Sequence, residues 1–227
     1  MAKHLHRDLE LLSRDILTLG ARVEESLDLA VRALVDRRED LAERVRDGDD
    51  LIDRQEVEVE ENCLKILALH QPVAADLRYV ITALKVNNDL ERMGDLAVNL
   101  AARASWLARR EPIDAAEAIK AIALRVREMV HQSIASLVER DPLKARAVCA
   151  MDDEVDREHK QMYRIVQDLM KVDPRTVKRA VQTLSASRQL ERVGDLATNI
   201  AEDVVFMVEG EVIRHGREQI GDGDEKD

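Results

Sequence analysis

Four pairs of acidic residues stand four positions apart in segments whose composition is typical of helices. The pairs are Asp49 and Asp53, Glu91 and Asp95, Asp152 and Asp156, and Glu191 and Asp195. On a helix, residues four apart lie on the same face. Two like charges placed there repel each other and cost roughly a few tenths of a kcal/mol. Because carboxylate oxygens are good ligands for Mg²⁺, Mn²⁺ and iron, the pattern predicts cation binding.

The positions of these pairs predict that they meet in two groups of four. In an antiparallel helical hairpin, residues equidistant from the turn lie level, so level residues have a constant sum of residue numbers. By this rule Asp53 is level with Glu91, and Asp49 with Asp95, about a turn near Pro72. In the second group, the same rule makes Asp156 level with Glu191, and Asp152 level with Asp195. One asparagine per group, Asn99 or Asn199, lies one turn further along and extends the oxygen-rich strip.

A block of sequence that occurs twice indicates a duplicated helical unit. Residues 90–99 read LERMGDLAVN, and residues 190–199 read LERVGDLATN. The acidic segment 49–54 likewise recurs at 152–157. Such internal repeats indicate a repeated structural unit, which here is a hairpin of two helices together with a third helix.

Composition and hydrophobic periodicity predict an all-α fold of two tandem, similar three-helix bundles. Hydrophobic residues make up 45% of the 227 residues and aromatic residues only 2%, with 8 glycines and 4 prolines. This scarcity of helix breakers favours long helices. Apolar residues recur at steps of three and four in six segments, about 5–36, 39–69, 76–107, 114–140, 142–170 and 174–208. We predict bundles at 1–110 and 111–215 and a disordered tail at 216–227.

The charge and hydropathy of the chain exclude two classes of function. A net charge of −11 argues against nonspecific nucleic-acid binding, because an acidic surface repels phosphates. No apolar run approaches the ~20 residues that span a bilayer, so we predict no membrane insertion. A cytoplasmic protein is expected, and any contact with the membrane would go through a partner.

The acidic pairs also have a purely structural interpretation. Arginines beside them could neutralise the carboxylates as ion pairs on a solvated helix face: Arg54, Arg92, Arg157 and Arg192. A metal-free helical scaffold therefore stays open as an alternative. Gly94 and Gly194 lie between the acids, where a glycine costs roughly 0.8–1 kcal/mol relative to alanine, and close approach of another helix is the expected compensation.

An enzymatic alternative is a carboxylate-bridged di-metal centre in a helical bundle. Glu128 and His131 form one Glu-x-x-His element, but di-iron bundles use two. We therefore interpret this element as a chance occurrence. His159, one turn after Asp156, is a candidate peripheral ligand. No nucleophile elbow, phosphate-binding glycine loop or dinucleotide fingerprint is present, so no positive sign of catalysis exists.

Two motifs closely resemble those of the PhoU family of phosphate-transport regulatory proteins. The segment 71–78, QPVAADLR, is followed by 90–95, LERMGD, and by Asn99, and the second copy at 190–199 is similar. The resemblance extends from about Leu5 to Val208. It implies two three-helix bundles and metal clusters held by the Glu/Asp-x-x-x-Asp motifs, with Fe, Mn, Mg or Zn as candidate ions.

The same resemblance implies a regulatory, non-enzymatic role. Members of this family regulate phosphate uptake, repress the phosphate-starvation response, and are thought to connect the ATPase subunit of the phosphate ABC transporter with a membrane sensor histidine kinase. We also expect a homodimer that reaches the inner membrane only through its partners. The second repeat has VDPRT at 172–176 where the first has the QPVAADLR element, so the partner surfaces of the two halves are expected to differ.

Overall fold

The predicted all-α fold is confirmed by a computed structural model, which describes residues 2–213. Within these residues there is no β-strand. The helices are α1 (Ala2–Val35), α2 (Glu39–His70), α3 (Ala74–Ala108), α4 (Ala116–Glu139), α5 (Pro142–Val172) and α6 (Val177–Glu209), with one 3-10 turn at Pro174–Thr176 before α6. The predicted disordered tail, 216–227, lies outside the described residues.

Local chemistry explains where the helices begin. Helix α5 begins at Pro142, as predicted, because the Asp141 carboxylate accepts hydrogen bonds from the backbone N–H groups of Leu143 and Lys144 at 2.9 and 3.1 Å. Helix α3 begins two residues earlier than predicted. Its N-cap is Val73, with no side-chain cap, so Asp76, where the predicted segment begins, lies in the first turn of the helix.

Each repeat forms a three-helix bundle. Helices α1, α2 and α3 pack against one another, and so do α4, α5 and α6. Their shared interior is aliphatic, as the low aromatic content requires, and includes the fully buried Leu19, Leu90, Ile122, Met162 and Leu190. The predicted bundle boundary at 110/111 lies in the connection between α3 and α4.

The two bundles pack side by side, mainly through α3 against α6 and also through α1 against α4. The α3–α6 pair is antiparallel: Arg78 donates to the carbonyl of Met207 at 3.3 Å near one end, and Arg103 to the Ser185 hydroxyl at 3.2 Å near the other. Between these points the Lys85 ammonium lies 3.0 Å from the buried Asp203 carboxylate. Besides these polar contacts, buried apolar residues of both bundles form one continuous core.

Candidate functional site

In the first repeat, the acidic pairs of α2 and α3 lie on neighbouring helices and act on one another. Partial burial raises the pKa of Asp49, and the negative charges of Asp53 and Asp95 raise it further. The pKa of Glu91 is also raised, chiefly by burial and then by Asp95, Glu56 and Asp53. Carboxylates from both helices thus share one electrostatic patch.

The second repeat places its acidic pairs in the same way on α5 and α6. Desolvation by the surrounding helices raises the pKa of Asp195 to about 6, although its side chain keeps contact with solvent. The negative charges of Glu191, Asp152 and Asp156 raise this pKa further. Arg192 lowers it, and its contribution is the smallest of those named. Three neighbouring carboxylates thus raise the pKa of Asp195, which is the electrostatic condition that a bound cation relieves.

The arginines that could have neutralised these acids mostly have other partners. Arg54 donates to the backbone carbonyl of Asp50 at 2.9 Å, and Arg92 lies 3.6 Å from Asp89. Arg157 lies 4.0 Å from Glu154. Cations do act on some motif acids: Lys160 lies 3.6 Å from Asp156, and Arg92 and Arg192 lower the pKa values of Glu91 and Asp195. These contributions are smaller than those of burial and of the neighbouring acids, so both pKa values remain raised.

The two asparagines differ in what they contribute. The Asn99 amide donates to the carbonyl of Asp95, one turn earlier on its own helix, at 2.9 Å. Asn99 is exposed, whereas Asn199 is half-buried. Both lie one helical turn beyond their acidic pair, where the sequence predicted an extension of the oxygen-rich strip.

Gly94 and Gly194 allow a second helix to approach between the acids. An ideal Cβ on Gly94 would lie 3.2 Å from Cγ2 of Ile52 on α2. At Gly194 the nearest atom to such a Cβ is Cγ1 of Val155 on α5, at 3.7 Å. Close helix packing therefore explains Gly94, whereas the position of Gly194 leaves room for a methyl group.

Sequence reasoning missed one polar residue pair in the first repeat. Asn87, buried in α3, donates to the backbone carbonyl of Glu56 at 3.0 Å and to its carboxylate at 3.3 Å. Glu56 is thus a fifth carboxylate beside the acidic patch, and it contributes to the raised pKa of Glu91. The Asn87 carbonyl oxygen is buried and has no hydrogen-bond partner among the described residues.

The equivalent positions of the second repeat carry a histidine and a serine. Nδ1 of His159 lies 2.8 Å from the hydroxyl of Ser187. His159 also lines a surface groove together with Glu191 and Asp195. The sequence did contain a signal for both pairs. In α2, the polar residues Asp49 and Glu56 interrupt the apolar stripe, and the corresponding positions of α5 are Asp152 and His159.

The donor chemistry of both patches fits a cation, although the donors do not form a closed cage. Within residues 2–213, no group of three or more His, Cys, Asp or Glu side chains is assembled closely enough to hold a metal ion. The fit rests on oxygen donors that raise one another's pKa and on the partnerless carbonyl oxygen of buried Asn87 beside the first patch.

The Glu-x-x-His element of α4 lies at the contact with α1, away from the acidic patches. Nδ1 of His131 lies 2.7 Å from the Glu24 carboxylate, and Glu128 accepts a hydrogen bond from Gln132 at 2.7 Å. These contacts give the element a structural role at the bundle interface.

In the described part of the chain, no helix is both long and apolar enough to cross a membrane.

Comparison with known proteins gives a consistent result. The family model described as the PhoU domain matches twice, at residues 16–104 and 119–204. A phosphate-specific transport system accessory protein PhoU homolog of Aquifex aeolicus is 38% identical over 93% of this chain and 96% of its own. The corresponding protein of Pseudomonas aeruginosa is 37% identical over 95% of this chain and 89% of its own.

Solved structures show the same fold. The crystal structure of PhoU from Pseudomonas aeruginosa matches with a TM-score of 0.89 and 38% identity, over 91% of this chain and 99% of that one. The phosphate transport system regulatory protein PhoU from Streptococcus pneumoniae matches with a TM-score of 0.85 and 26% identity, over 92% and 99%. Two matched domains, two level sets of acids and relatives that align over nearly their whole length establish that this chain belongs to the PhoU family.

Proposed function

We propose that this protein regulates phosphate uptake and represses the phosphate-starvation response. The observation that carries the proposal is the match of both repeats to the PhoU domain, together with relatives named as accessory proteins of a phosphate-specific transport system. The proposed role is that of a non-enzymatic adaptor. It would join the ATPase subunit of the phosphate ABC transporter to a sensor histidine kinase, in the cytoplasm and as a homodimer.

The turn between α2 and α3 supports an adaptor role because it presents apolar side chains to solvent. Val73 is 74% exposed and Leu69 63% exposed. The turn is held in an unusual conformation, with positive φ at Gln71 (46°) and Ala74 (49°) and with Pro72 buried beneath it. Strain of this kind persists where the surrounding structure enforces it, often at binding sites.

The second repeat has a different tip. The connection between α5 and α6 exposes Val172, at 85%, but it contains the 3-10 turn instead of the QPVAADLR element. The apolar tips of the two bundles also lie at opposite ends of the antiparallel α3–α6 pair. Two distinct tips suit a protein that contacts two different partners.

Complementation of a deletion strain tests the proposal. Without this protein, phosphate-starvation genes should stay on in phosphate-rich medium, and the unaltered gene should restore their repression. We expect Val73→Asp, in the element that occurs only in the first repeat, to fail to restore repression. The control Leu124→Asp, at an exposed apolar position of α4 outside both tips, should restore it. Normal repression in the deletion strain, with no second copy of such a gene present, would exclude the proposed role.

We also propose that each acidic patch binds one or more metal ions, with Fe, Mn, Mg or Zn as candidates. The supporting observations are the shared electrostatic patch in each hairpin and the raised pKa values of Asp49, Glu91 and Asp195. When bound, a cation would neutralise the acidic patch of its hairpin. The chain's own residues supply the ligands, and the two close helix pairs position them: Asp49, Asp53, Glu91, Asp95, Asn99, Asp152, Asp156, Glu191, Asp195 and Asn199.

A further inference from the structure

A cationic groove lies at the seam between the two bundles, at the end of the molecule opposite the α2–α3 turn. It is open to solvent and has a volume of about 590 Å³. The end of α3, the connection to α4 and the start of α6 line it with Trp106, Arg110, Glu111, Arg175, Lys178 and Arg179. Four cations thus face one carboxylate in a chain whose net charge is −11.

Among the residues that the structure describes, acids neutralise two of these cations and leave the other two without an acidic partner. Arg179 lies 3.7 Å from the Glu111 carboxylate, and Arg175 donates to both oxygens of Asp173. Within residues 2–213, neither Arg110 nor Lys178 has a carboxylate within 4.0 Å. The groove therefore keeps a local positive charge.

Arg110 is held in place by the aromatic ring beside it. Its guanidinium lies 3.5 Å from the centroid of the Trp106 ring and donates to the Trp106 carbonyl at 2.6 Å. A stacked arginine keeps its remaining N–H donors directed outward in one plane, which suits the tetrahedral oxygens of a phosphoryl group. The first turn of α6 adds Lys178 to the groove, a point charge on a flexible stem.

The electrostatics of α6 strengthen the positive field. Its first turn contains no acidic residue but carries Lys178 and Arg179. Cations are disfavoured at the positive end of a helix dipole, so the free protein leaves these charges in an unfavourable position. An anion in the groove would relieve this repulsion.

An apolar pocket adjoins the groove and shares two residues with it, Glu111 and Arg179. Its other walls include Leu34, Leu107 and Ile119, which come from α1, α3 and α4. A ligand that carries a phosphoryl group and an uncharged part therefore has a place for each. Such a ligand would touch both bundles at once.

We propose that this groove binds a small anion bearing phosphoryl groups and so ties the two bundles together at this end. Inorganic phosphate, pyrophosphate and nucleotides share the recognised chemistry, which is phosphoryl oxygen accepting from Arg110, Arg175 and Lys178. The site is separate from both acidic patches and from the α2–α3 turn. It would give the protein a direct contact with phosphate compounds, independent of its protein partners.

The only tryptophan of the chain, Trp106, reports on this groove. The full-length protein is titrated with inorganic phosphate, pyrophosphate or ADP while tryptophan fluorescence is recorded. Potassium chloride at matched ionic strength and adenosine are the ligand controls. Equilibrium dialysis of the same compounds detects a ligand whose binding leaves the fluorescence unchanged.

We expect saturable binding of at least one phosphate compound and none of adenosine. Lys178→Glu should weaken this binding about tenfold or more, since it replaces a charge-assisted contact by a repulsive one. Lys120→Glu, an equally exposed change of charge on α4, should leave the affinity unchanged. Absence of saturable binding by both methods, equal binding of adenosine, or equal weakening by the two variants would overturn the proposal.

Discussion

The acidic patches of the two hairpins share their four carboxylates but differ in what surrounds them. In the first repeat, Ile52 presses against Gly94, and Glu56 adds a fifth carboxylate. In the second repeat, the equivalent of Ile52 is Val155, which leaves more space at the glycine, and the equivalent of Glu56 is His159. After the duplication, the acids kept their spacing while the packing and the neighbouring donors changed.

This difference gives the two proposed cation sites different donor chemistry. The first offers oxygen donors, which hard cations such as Mg²⁺ prefer. The second adds an imidazole whose Nδ1 is held by the Ser187 hydroxyl at 2.8 Å, an arrangement that orients Nε2. An imidazole beside carboxylates favours borderline metals such as Zn²⁺ or Fe²⁺. The two proposed cation sites are therefore expected to differ in metal preference.

The largest expected effect is the loss of metal from one acidic patch with no loss from the other. Changing Glu91 and Asp95 together to alanine should abolish metal binding in the first repeat and leave the second repeat's metal content intact. The fold should survive, because removing like charges on one helix face relieves repulsion. Elemental analysis of protein purified without chelator measures the loss.

A control variant and a mirror variant sharpen this experiment. Glu43→Ala with Asp47→Ala removes an exposed acidic pair of the same spacing on α2 and should leave both patches loaded. Glu191→Ala with Asp195→Ala should remove metal from the second repeat alone. Unchanged metal content in either patch variant would contradict the proposed sites while leaving the family membership intact.

The second effect comes from the glycines and concerns stability. Gly194→Ala should raise the free energy of unfolding by about 0.8–1 kcal/mol, because helix propensity improves and the new methyl group meets Val155 at an ordinary contact distance. Gly94→Ala should instead lower it by about 1 kcal/mol, because the methyl group overlaps Ile52 and overpacking costs about 1–3 kcal/mol. Urea denaturation of metal-free protein measures both changes.

A double-mutant cycle checks the physical cause. Ile52→Val reproduces the residue of the second repeat and alone should cost about 0.5–1.5 kcal/mol. Combined with Gly94→Ala, it should cost less than the sum of the two single changes, since the space vacated by one methyl group accepts the other. Strict additivity would show that the close contact between α2 and α3 is not what constrains Gly94.

The sequence predicted most of the fold because its signals are local. Pro142 after Asp141 fixes the start of α5, since a capping carboxylate and a first-turn proline act within one turn. The start of α3 was missed because the buried Pro72 and the left-handed Gln71 arrange that turn through tertiary contacts. The packing of α3 against α6 joins residues over 80 positions apart, such as Arg103 and Ser185, and no spacing rule within a hairpin reaches it.

The candidate site was predicted from spacing for the same reason. Level pairing is a property of one hairpin, so the four acids of each repeat could be placed from residue numbers alone. Glu56 and Asn87 were missed because neither lies in a paired acidic motif, and their relation appears only when the two helices are packed. Whether an arginine pairs with a motif acid also depends on the direction of its side chain. Arg92, for example, extends towards Asp89.

The smallest expected effect is the pH dependence that Asp195 contributes in the second repeat. Asp195 has a folded-state pKa of about 6, against 3.8 for the free side chain. Between these values the folded protein retains a proton that the unfolded chain releases, so the free energy of unfolding falls as pH rises through this window and levels off above it. The side chain introduced by Asp195→Asn cannot ionise, so the variant should lack this contribution to the decrease in the free energy of unfolding. Metal-free variant and unaltered protein should therefore melt together near pH 4, with the variant more stable by at most a few degrees at pH 7. Asp114→Asn, in the connection before α4, is the control for loss of one carboxyl group. Parallel melting curves for Asp195→Asn and the unaltered protein across this range would show that the second patch does not destabilise its own charge.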